Sequence, residues 1–520
     1  MTLELLAFII YFLVVLAIGT VFMFRMRGSG NGEKEYFLGG RSMGPYVTAM
    51  SAQASDMSGW LLMGFPGSIV AFGFGKMWIG IGLCLGTILN WLIVARRLRS
   101  FSKAAGDSIT VPQYLSNRFL TKSPILRIVC AIVFAVCFTI YVASSFKAGG
   151  TLFSTVIPGL SYENAMLVFA AILVAYTFTG GFSAVCWTDF FQGIMMLIAI
   201  MAVPIILVST KDLDFAAINT GFAGTPNEFV TNPFSATWQD IVSGFAWGLG
   251  YFGMPHIIVR FMAIKKPSLI KKSATVAIIW VILSLGAAIF IGYFGRVYIG
   301  SELIAAGETE HVFIKLVRDL FPAFIAGILL SAILAAAMST ADSQLLVASS
   351  SFTSDIYKTV IRKKASDTEL LWVGRAFVAV IAVIAYFIAS NPNAGSIMGL
   401  VENAWAGFGA AFGPVIILSL FWRRFTYKGA IAGILGGGVT VAVWIALSRS
   451  IQNTVDAIQA AGETLTPWMI FSHSVTRVYE LLPGFCVGML LCVIVSLIDK
   501  VPSKEILALF DKAADPAYDE

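Results

Sequence analysis

Charged residues are scarce in this chain of 520 residues, since Asp, Glu, Lys and Arg together make up 12% of it. Soluble domains usually carry about 25% charged residues, whereas the hydrophobic share here is 58% and the mean hydropathy is +0.84. These values exclude an ordinary water-soluble globular enzyme. The apolar runs are long and unbroken, which also excludes a membrane β-barrel, whose strands alternate apolar and polar residues over about ten positions. An all-α polytopic membrane protein is therefore predicted.

Histidine and cysteine are also rare. The six cysteines lie in or beside apolar segments without the paired spacing of a metal site, so we interpret them as small buried hydrophobes. The three histidines, His256, His311 and His473, are scattered, and no nucleophile–base motif surrounds them. This pattern argues against an enzyme, and the lack of charged rings in the apolar segments argues against a channel.

The first 19 residues form an apolar run that contains Glu4 and is followed, rather than preceded, by basic residues. A secretory signal peptide has the opposite charge order and a small-residue cleavage site. We expect this run to be a retained first helix whose N-terminus lies outside the cell.

About thirteen segments are long enough to predict membrane-spanning helices, because about 20 apolar residues cross roughly 30 Å of hydrocarbon. The predicted segments are 5–24, 44–73, 77–95, 127–156, 165–183, 189–210, 237–262, 274–300, 321–354, 369–389, 397–421, 428–447 and 481–498. They predict a single transmembrane domain over residues 1–520, with a short polar tail at 499–520.

Most of the 35 Lys and Arg residues fall in alternate loops of this scheme. The predicted inner loops contain Arg25, Arg27, Lys34 and Arg41; Arg96, Arg97, Arg99, Lys103, Arg118, Lys122 and Arg127; Arg260, Lys265, Lys266, Lys271 and Lys272; Lys358, Arg362, Lys363 and Lys364; Arg423, Arg424 and Lys428; and Lys500, Lys504 and Lys512. Because inner loops carry the basic excess, the N-terminus is predicted outside the cell and the C-terminus on the cytoplasmic side of the plasma membrane. The net charge of +6 then needs no nucleic-acid partner.

Two predicted spans are interrupted by Gly, Pro and polar residues, one at 51–60 and the other at 247–255. Irregular backbone at membrane depth is tolerated only around a protein-lined cavity or site, and a pair of broken helices in corresponding positions indicates a transporter binding site. Each break lies in the first helix of a set of five predicted helices, one set at 44–210 and the other at 237–421. Because each set has an odd number of helices, the second set crosses the membrane in the opposite orientation to the first. The alternative is that these residues only aid helix packing.

Polar residues near the breaks predict a cation site. Asp56 lies at the centre of the second span, where insertion of a carboxylate into the membrane costs at least ~2.5–3.5 kcal/mol. We therefore expect its side chain to face a cation, a partner or water. The alternative is a buried hydrogen bond that holds two helices together. Ala336, Ser339 and Thr340 share one helix face. The two hydroxyls either bond carbonyls one turn back or, with carbonyls freed near Ala54 and Met57, form an oxygen-only site for a small cation.

Three motifs resemble the sodium/solute symporter family: residues 54–60 (ASDMSGW), 179–189 (TGGFSAVCWTD) and 428–433 (KGAIAG). The likeness covers essentially the whole chain and implies an inverted five-helix repeat of the LeuT type. It implies a sodium site made by the carbonyls of Ala54, Met57 and Ala336 and the hydroxyls of Ser339 and Thr340. It implies coupling roles for Asp56, Arg41 and Asp189, which lies at the predicted start of the sixth helix; the alternative for Asp189 is a carboxylate favoured there by the helix dipole. It implies that Ser58 and Gly59 lie beside the substrate and that Trp247, Tyr251 and Pro255 shape its site. Trp60 and Tyr141 are further candidate substrate-binding residues.

The resemblance implies sodium-coupled uptake of a small organic solute, and we expect the solute to be L-proline, because Trp247 and Tyr251 offer aromatic surface to its ring. Another amino acid, pantothenate or a sugar is the alternative solute. A transporter-like sensor is a further alternative, which the short tail disfavours. We expect the protein to bind Na⁺ and to act as a monomer in the lipid bilayer, which the resemblance implies is a bacterial inner membrane.

Overall fold

The computed structural model of the chain describes residues 3–26, 37–179, 181–515 and 517–518. Arg27 and Lys34, which were assigned to the first inner loop, lie outside these residues, as do 516, 519 and 520 of the predicted tail.

The described residues fold almost entirely into helices, as the sequence predicts. The N-terminal part contains α1 (Leu3–Met26), α2 (Pro45–Asp56), α3 (Trp60–Phe72), α4 (Phe74–Ala104), α5 (Val111–Arg118), α6 (Ile125–Val156), α7 (Tyr162–Thr179) and α8 (Phe182–Thr210). The C-terminal part contains α9 (Trp238–Trp247), α10 (Pro255–Ala263), α11 (Ile270–Ala306), α12 (Val312–Leu320), α13 (Ala323–Ile361), α14 (Asp367–Ser390), α15 (Ile397–Phe421), α16 (Tyr427–Ala460), α17 (Pro467–Thr476), α18 (Leu481–Ile498) and α19 (Lys504–Ala514).

Ten helices of the described chain are long and apolar enough to cross a membrane, by length and composition. Their burial separates a centre from a periphery. The most apolar windows of α13 and α15 are 78% buried, whereas those of α14 and α16 are 28% buried and that of α1 is 22% buried. The exposed side chains of the peripheral helices are large and apolar, as Phe387 and Val439 show. This exterior is suited to lipid, and the chain is a multi-pass membrane protein.

Side-chain caps explain where many helices begin. Hydroxyl oxygens at Ser366, Ser396, Thr426 and Thr466 each accept a hydrogen bond from the backbone N–H three residues later. These bonds satisfy amide groups that have no partner within the first turn of a helix.

Several predicted helix bounds were wrong. The segments 165–183 and 189–210 are instead α7, which ends at Thr179, and α8, which begins at Phe182 after the extended residue Gly181. In the sequence the apolar run continues past Thr179, so hydropathy alone placed the boundary too late. The segments 274–300, 321–354 and 428–447 are all longer in the structure, because their helices continue through polar residues beyond the apolar core.

Helices α4 and α9 cross at glycines. A Cβ atom added to Gly86 would lie 2.3 Å from the carbonyl oxygen of Gly248, and one added to Gly82 would lie 2.0 Å from that of Gly244. Both contacts are with backbone, which cannot rotate away, so the close approach of the two helices requires glycine. This crossing holds the broken segment that begins at Gly248 against α4.

We expect Gly86→Ala to lower the thermal stability of the purified protein, because overpacking of this kind costs about 1–3 kcal/mol. Gly286→Ala is the matched control, since nothing lies within 4 Å of a Cβ at that position in α11. The measurement is the unfolding temperature of both variants in detergent. Equal unfolding temperatures for the two variants would show that the crossing is loose.

Candidate functional site

The chain leaves the helical path between α2 and α3. The Met57 N–H still bonds to the Gln53 carbonyl at 3.0 Å, but Met57 itself has φ −82° and ψ 78°. The Ser58 N–H then bonds to the Asp56 carbonyl at 3.0 Å rather than to Ala54 four residues back. The Ala54 carbonyl therefore loses its helical donor and is open to other groups.

Two hydroxyls of α13 reach this carbonyl. Ser339 Oγ donates to the Ala54 oxygen at 2.7 Å and lies 3.3 Å from the Ala336 carbonyl oxygen. Thr340 Oγ1 lies 3.4 Å from the Ala54 oxygen. Four of the five predicted sodium ligands thus meet at one buried point, and the fifth, Met57, is the buried residue that directly follows α2. Neutral oxygens grouped in this way suit a small, hard cation.

Asp56 joins the two broken helices. Its carboxylate Oδ2 accepts a hydrogen bond from the Tyr251 hydroxyl at 2.6 Å, while Oδ1 has no partner among the described residues. Its backbone carbonyl accepts hydrogen bonds from Trp60 Nε1 and the Tyr141 hydroxyl, each at 3.3 Å. The side chain is fully buried. The predicted residues Asp56, Trp60, Tyr141 and Tyr251 therefore form one cluster with an unused acceptor.

The same break positions Ser58 and Gly59. Ser58 is fully buried, and a Cβ at Gly59 would lie 2.6 Å from the Cβ of Ala148 in α6. Glycine therefore lets the unwound segment approach α6 closely. Nearby on α2, the Nε2 donor of Gln53 is buried without a partner in the described part of the chain.

The second break separates α9 from α10. Residues Gly248–Phe252 form a tighter 3-10 turn, Met254 is extended, and Pro255 starts α10 at its first position, where a missing N–H costs nothing. Trp247 is the last residue of α9, one turn before Tyr251. Pro255 therefore shapes the backbone of this break, while Tyr251 supplies the bond to Asp56.

Two residues that the sequence analysis missed hold this second break. Asn90 Nδ2 donates to the Tyr251 carbonyl at 3.0 Å, and Trp405 Nε1 donates to the Trp247 carbonyl at 2.8 Å. Asn90 starts a π-helical stretch in α4, a distortion that often marks functional sites. A single buried amide in an otherwise apolar span was the available sequence signal. Trp405 gave no such signal.

A buried ion pair, Asp189–Arg260, lies beside Ser51, which precedes the break in α2. Asp189 Oδ2 accepts hydrogen bonds from Ser51 Oγ at 2.7 Å and from Arg260 Nη2 at 3.2 Å, and Ser343 Oγ lies 3.5 Å away. These residues come from α2, α8, α10 and α13, so the pair connects both broken helices to the centre of the fold. The full burial of Asp189 and Arg260 requires such pairing.

Two predictions about this cluster were wrong. Asp189 does not start its helix, because α8 begins at Phe182 and places Asp189 two turns inside. A helix-dipole role for its carboxylate is therefore ruled out. Arg260 is not a solvated loop residue but is buried in α10, and the sequence analysis missed it as a site residue. Asp342, also fully buried and next to Ser343, was missed as well.

Arg41 connects the segments that flank the broken helices. Its guanidinium donates to Asp107 Oδ1 at 2.7 Å, to the Ser108 carbonyl at 2.9 Å and to the Met262 carbonyl at the end of α10. The residue is 5% exposed and has φ 56°. Arg41 was predicted as an inner-loop residue with a coupling role, and its burial excludes a purely solvated charge. Arg99 and Arg118, assigned to the next inner loop, are also buried and bond to backbone carbonyls.

A polar cavity of about 350 Å³ lies next to Trp247. Its lining includes Lys76, Glu402, Tyr479 and Glu480. Burial raises the pKa of Glu480 to about 8, and the nearby charge of Glu402 adds to the shift. The cavity therefore brings open space and polar side chains to the Trp247 end of the candidate site.

Two of the helical spans are broken, and carbonyls, hydroxyls and a carboxylate converge at the breaks. This arrangement is typical of secondary transporters. A profile of the sodium:solute symporter family matches residues 36–437. The chain belongs to the sodium:solute symporter family.

Curated relatives cover nearly the whole chain. A sodium/proline symporter of Haemophilus influenzae is 43% identical over 99% of this chain and 98% of its own length. The high-affinity proline transporter PutP of Bacillus subtilis is 44% identical over 92% of this chain and 96% of its own. The sodium/proline symporter of Escherichia coli is 43% identical over 92% and 90%, respectively. The solved structure of a Na⁺-coupled sialic acid symporter, 17% identical, shares the fold with a TM-score of 0.73 over 97% of this chain and 99% of that one.

Proposed function

We propose that this protein is a symporter that uses the sodium gradient to take up L-proline by alternating access, and that it is not an enzyme. One observation carries the proposal: a single helix break exposes the Ala54 carbonyl to two hydroxyls and, two residues later, presents Asp56 to Tyr251. A cation and a solute bound at the same break stabilise each other, because each orders the backbone that the other needs.

In this proposal, sodium is bound by the carbonyls of Ala54, Met57 and Ala336 and the hydroxyls of Ser339 and Thr340. The ion takes the place of the direct hydroxyl–carbonyl contacts and fixes the end of α2 against α13. No ligand in this set is charged, so the Asp56 carboxylate supplies negative potential close to the ion. Sodium binding then strengthens binding of the solute through the ordered break.

Proline carries a secondary ammonium group, a carboxylate and a compact apolar ring. The free Oδ1 of Asp56 suits the ammonium group, and the Gln53 amide with unwound N–H groups near Ser58 and Gly59 suits the carboxylate. Trp247, Tyr251, Trp60 and Tyr141 supply aromatic surface for the ring, and Pro255 fixes the break. The named relatives transport proline, which favours it over another amino acid, pantothenate or a sugar.

The topology belongs to the same proposal. Thirteen spans cross the bacterial inner membrane with the N-terminus outside, the C-terminal tail 499–520 in the cytoplasm, and inverted repeats at 44–210 and 237–421. The Asp189–Arg260 pair and Arg41 then close the cytoplasmic side, while the polar cavity beside Trp247 opens outward. Breaking these inner contacts opens the path for sodium and solute release. The protein acts as a monomer.

The solute is tested by competition. Purified protein is loaded with radiolabelled proline in sodium and in potassium, and proline, other amino acids, pantothenate and sugars compete for the site. We expect proline to bind only in sodium and to be the most effective competitor. Sodium-dependent binding that ignores excess proline but is displaced by a sugar or pantothenate would overturn the choice of solute.

Ser339→Ala and Thr340→Ala are expected to raise the sodium concentration for half-maximal uptake by roughly tenfold or more. Each removes one of five ligands, and a hydrogen bond to a charged group contributes about 1.5–3 kcal/mol. The control is Ser331→Ala in the same helix, because among the described residues the Ser331 hydroxyl bonds only to the Gly327 carbonyl one turn back. Unchanged sodium dependence in both site variants would rule out this cation site.

A further inference from the structure

Tyr479 lies outside both predicted repeats, in the short turn between α17 and α18, and yet it contacts the candidate solute site. Its ring stacks on that of Trp247, with centroids 4.8 Å apart and an interplanar angle of 22°. The residue is 3% exposed. A flat, buried stack of this kind restricts both rings to one orientation.

Two hydrogen bonds fix Tyr479 in turn. Its hydroxyl donates to the Glu402 carbonyl of α15 at 2.9 Å, and its backbone N–H donates to Ser243 Oγ of α9 at 3.0 Å. Trp444 Nε1 of α16 donates to the Val478 carbonyl at 2.9 Å and anchors the turn itself. The tyrosine is therefore held by three helices and by its own turn, independently of any solute.

The second aromatic neighbour of Trp247 is packed less closely. The ring of Trp405 lies 6.3 Å away at 32°, and its N–H donates to the backbone carbonyl of Trp247 and not to the indole ring. Since Trp247 ends α9 where the backbone unwinds, its own helix constrains it less than a mid-helix residue. The closest aromatic support for the indole ring is thus Tyr479.

We propose that Tyr479 is a positioning residue that orients the Trp247 ring for solute binding. Through Tyr479, the C-terminal helices α16 and α18 contribute to the site. The inference rests on the proposed role of Trp247 in binding proline. In this inference Tyr479 acts through Trp247 and not by contacting the bound solute. The effect of Tyr479 on proline affinity passes through the Trp247 ring, so the test must show that this effect depends on Trp247.

The test compares proline affinity in Tyr479→Ala and Tyr479→Phe, alone and combined with Trp247→Ala. We expect Tyr479→Ala to weaken proline binding about three- to tenfold, the value of one aromatic pair. Tyr479→Phe keeps the stack and the backbone bond, so it should restore most of this affinity. When Trp247→Ala is already present, Tyr479→Ala should weaken proline binding by less than half as much in free energy as it does alone, because the ring that Tyr479 positions is gone. If Trp247→Ala binds proline too weakly to measure, Trp247→Phe, which has a smaller ring, takes its place.

The matched control for the hydroxyl is Tyr427→Phe, which removes a bond to Ser123 Oγ far from the site. Sodium affinity without proline should be unchanged in every Tyr479 variant. The inference would be overturned if Tyr479→Ala weakened proline binding equally in the unmodified protein and in the Trp247 variant. It would also be overturned if Tyr479→Phe lost as much proline affinity as Tyr479→Ala. Tyr479 would then be a general stabiliser of the fold. If the unmodified protein bound no proline, the proposed function would fail instead, so the two failures are distinguishable.

Discussion

Asp56→Asn is expected to reduce sodium-driven proline uptake by a factor of roughly 30 or more, while the protein still inserts and folds. Asparagine keeps the size of the side chain and can still accept the Tyr251 hydrogen bond, but it removes the negative charge. Removing one partner of a buried, charged hydrogen bond costs about 2–5 kcal/mol. The charge lies beside the neutral sodium ligands and also provides the free Oδ1, so sodium and proline binding should weaken together.

The measurement for Asp56 is initial uptake into proteoliposomes over a range of sodium concentrations, with protein quantity and monodispersity checked by size-exclusion chromatography. Asp456→Asn is the control, because Asp456 is an exposed carboxylate bonded only to Gln452 in the described structure. Near-normal uptake with normal sodium dependence in Asp56→Asn would show that the carboxylate only holds the two broken helices together.

Trp247→Ala is expected to weaken proline binding by tenfold or more. Trp247 is the last residue of α9, lines the polar cavity and packs against the rings of Tyr479 and Trp405, so loss of its indole ring leaves a gap at the proposed solute site. Removing a buried aromatic contact at a binding hot spot typically costs about 2 kcal/mol or more, which exceeds the tenfold step of about 1.4 kcal/mol.

The control for Trp247 is Trp468→Ala, since Trp468 lies on α17 with 72% of its surface exposed. Equilibrium binding of labelled proline measures the effect, and sodium binding without proline should persist in both variants. Proline affinity unchanged in Trp247→Ala would exclude this ring from the solute site.

The helical fold and both breaks could be predicted because their causes are local in the sequence. Long apolar runs specify helices, and the polar and Gly-rich stretches at 51–60 and 247–255 cannot continue as regular helices at membrane depth. The Ser339–Thr340 pair was also readable, because two hydroxyls on one buried helix face need partners. The structure supplies the Ala54 carbonyl as that partner.

The rest of the site depends on contacts between residues far apart in the chain. Arg260 was placed in a loop by the distribution of basic residues, although its position in the apolar run Pro255–Ala263 was a sign of burial. Its partner Asp189 is 71 residues away. Trp405 and Tyr479 carry no local signal at all, because an aromatic residue in or beside an apolar helix is ordinary. Only the packing of α15 and α18 around α9 gives them a role.

Uphill proline accumulation in proteoliposomes that contain only this protein tests the central claim most directly. With equal proline on both sides and sodium imposed only outside, we predict that proline accumulates inside above its external concentration, and that a sodium ionophore or replacement of sodium by potassium abolishes the accumulation. Proline that only equilibrates, or that accumulates equally well without a sodium gradient, would contradict sodium-coupled symport.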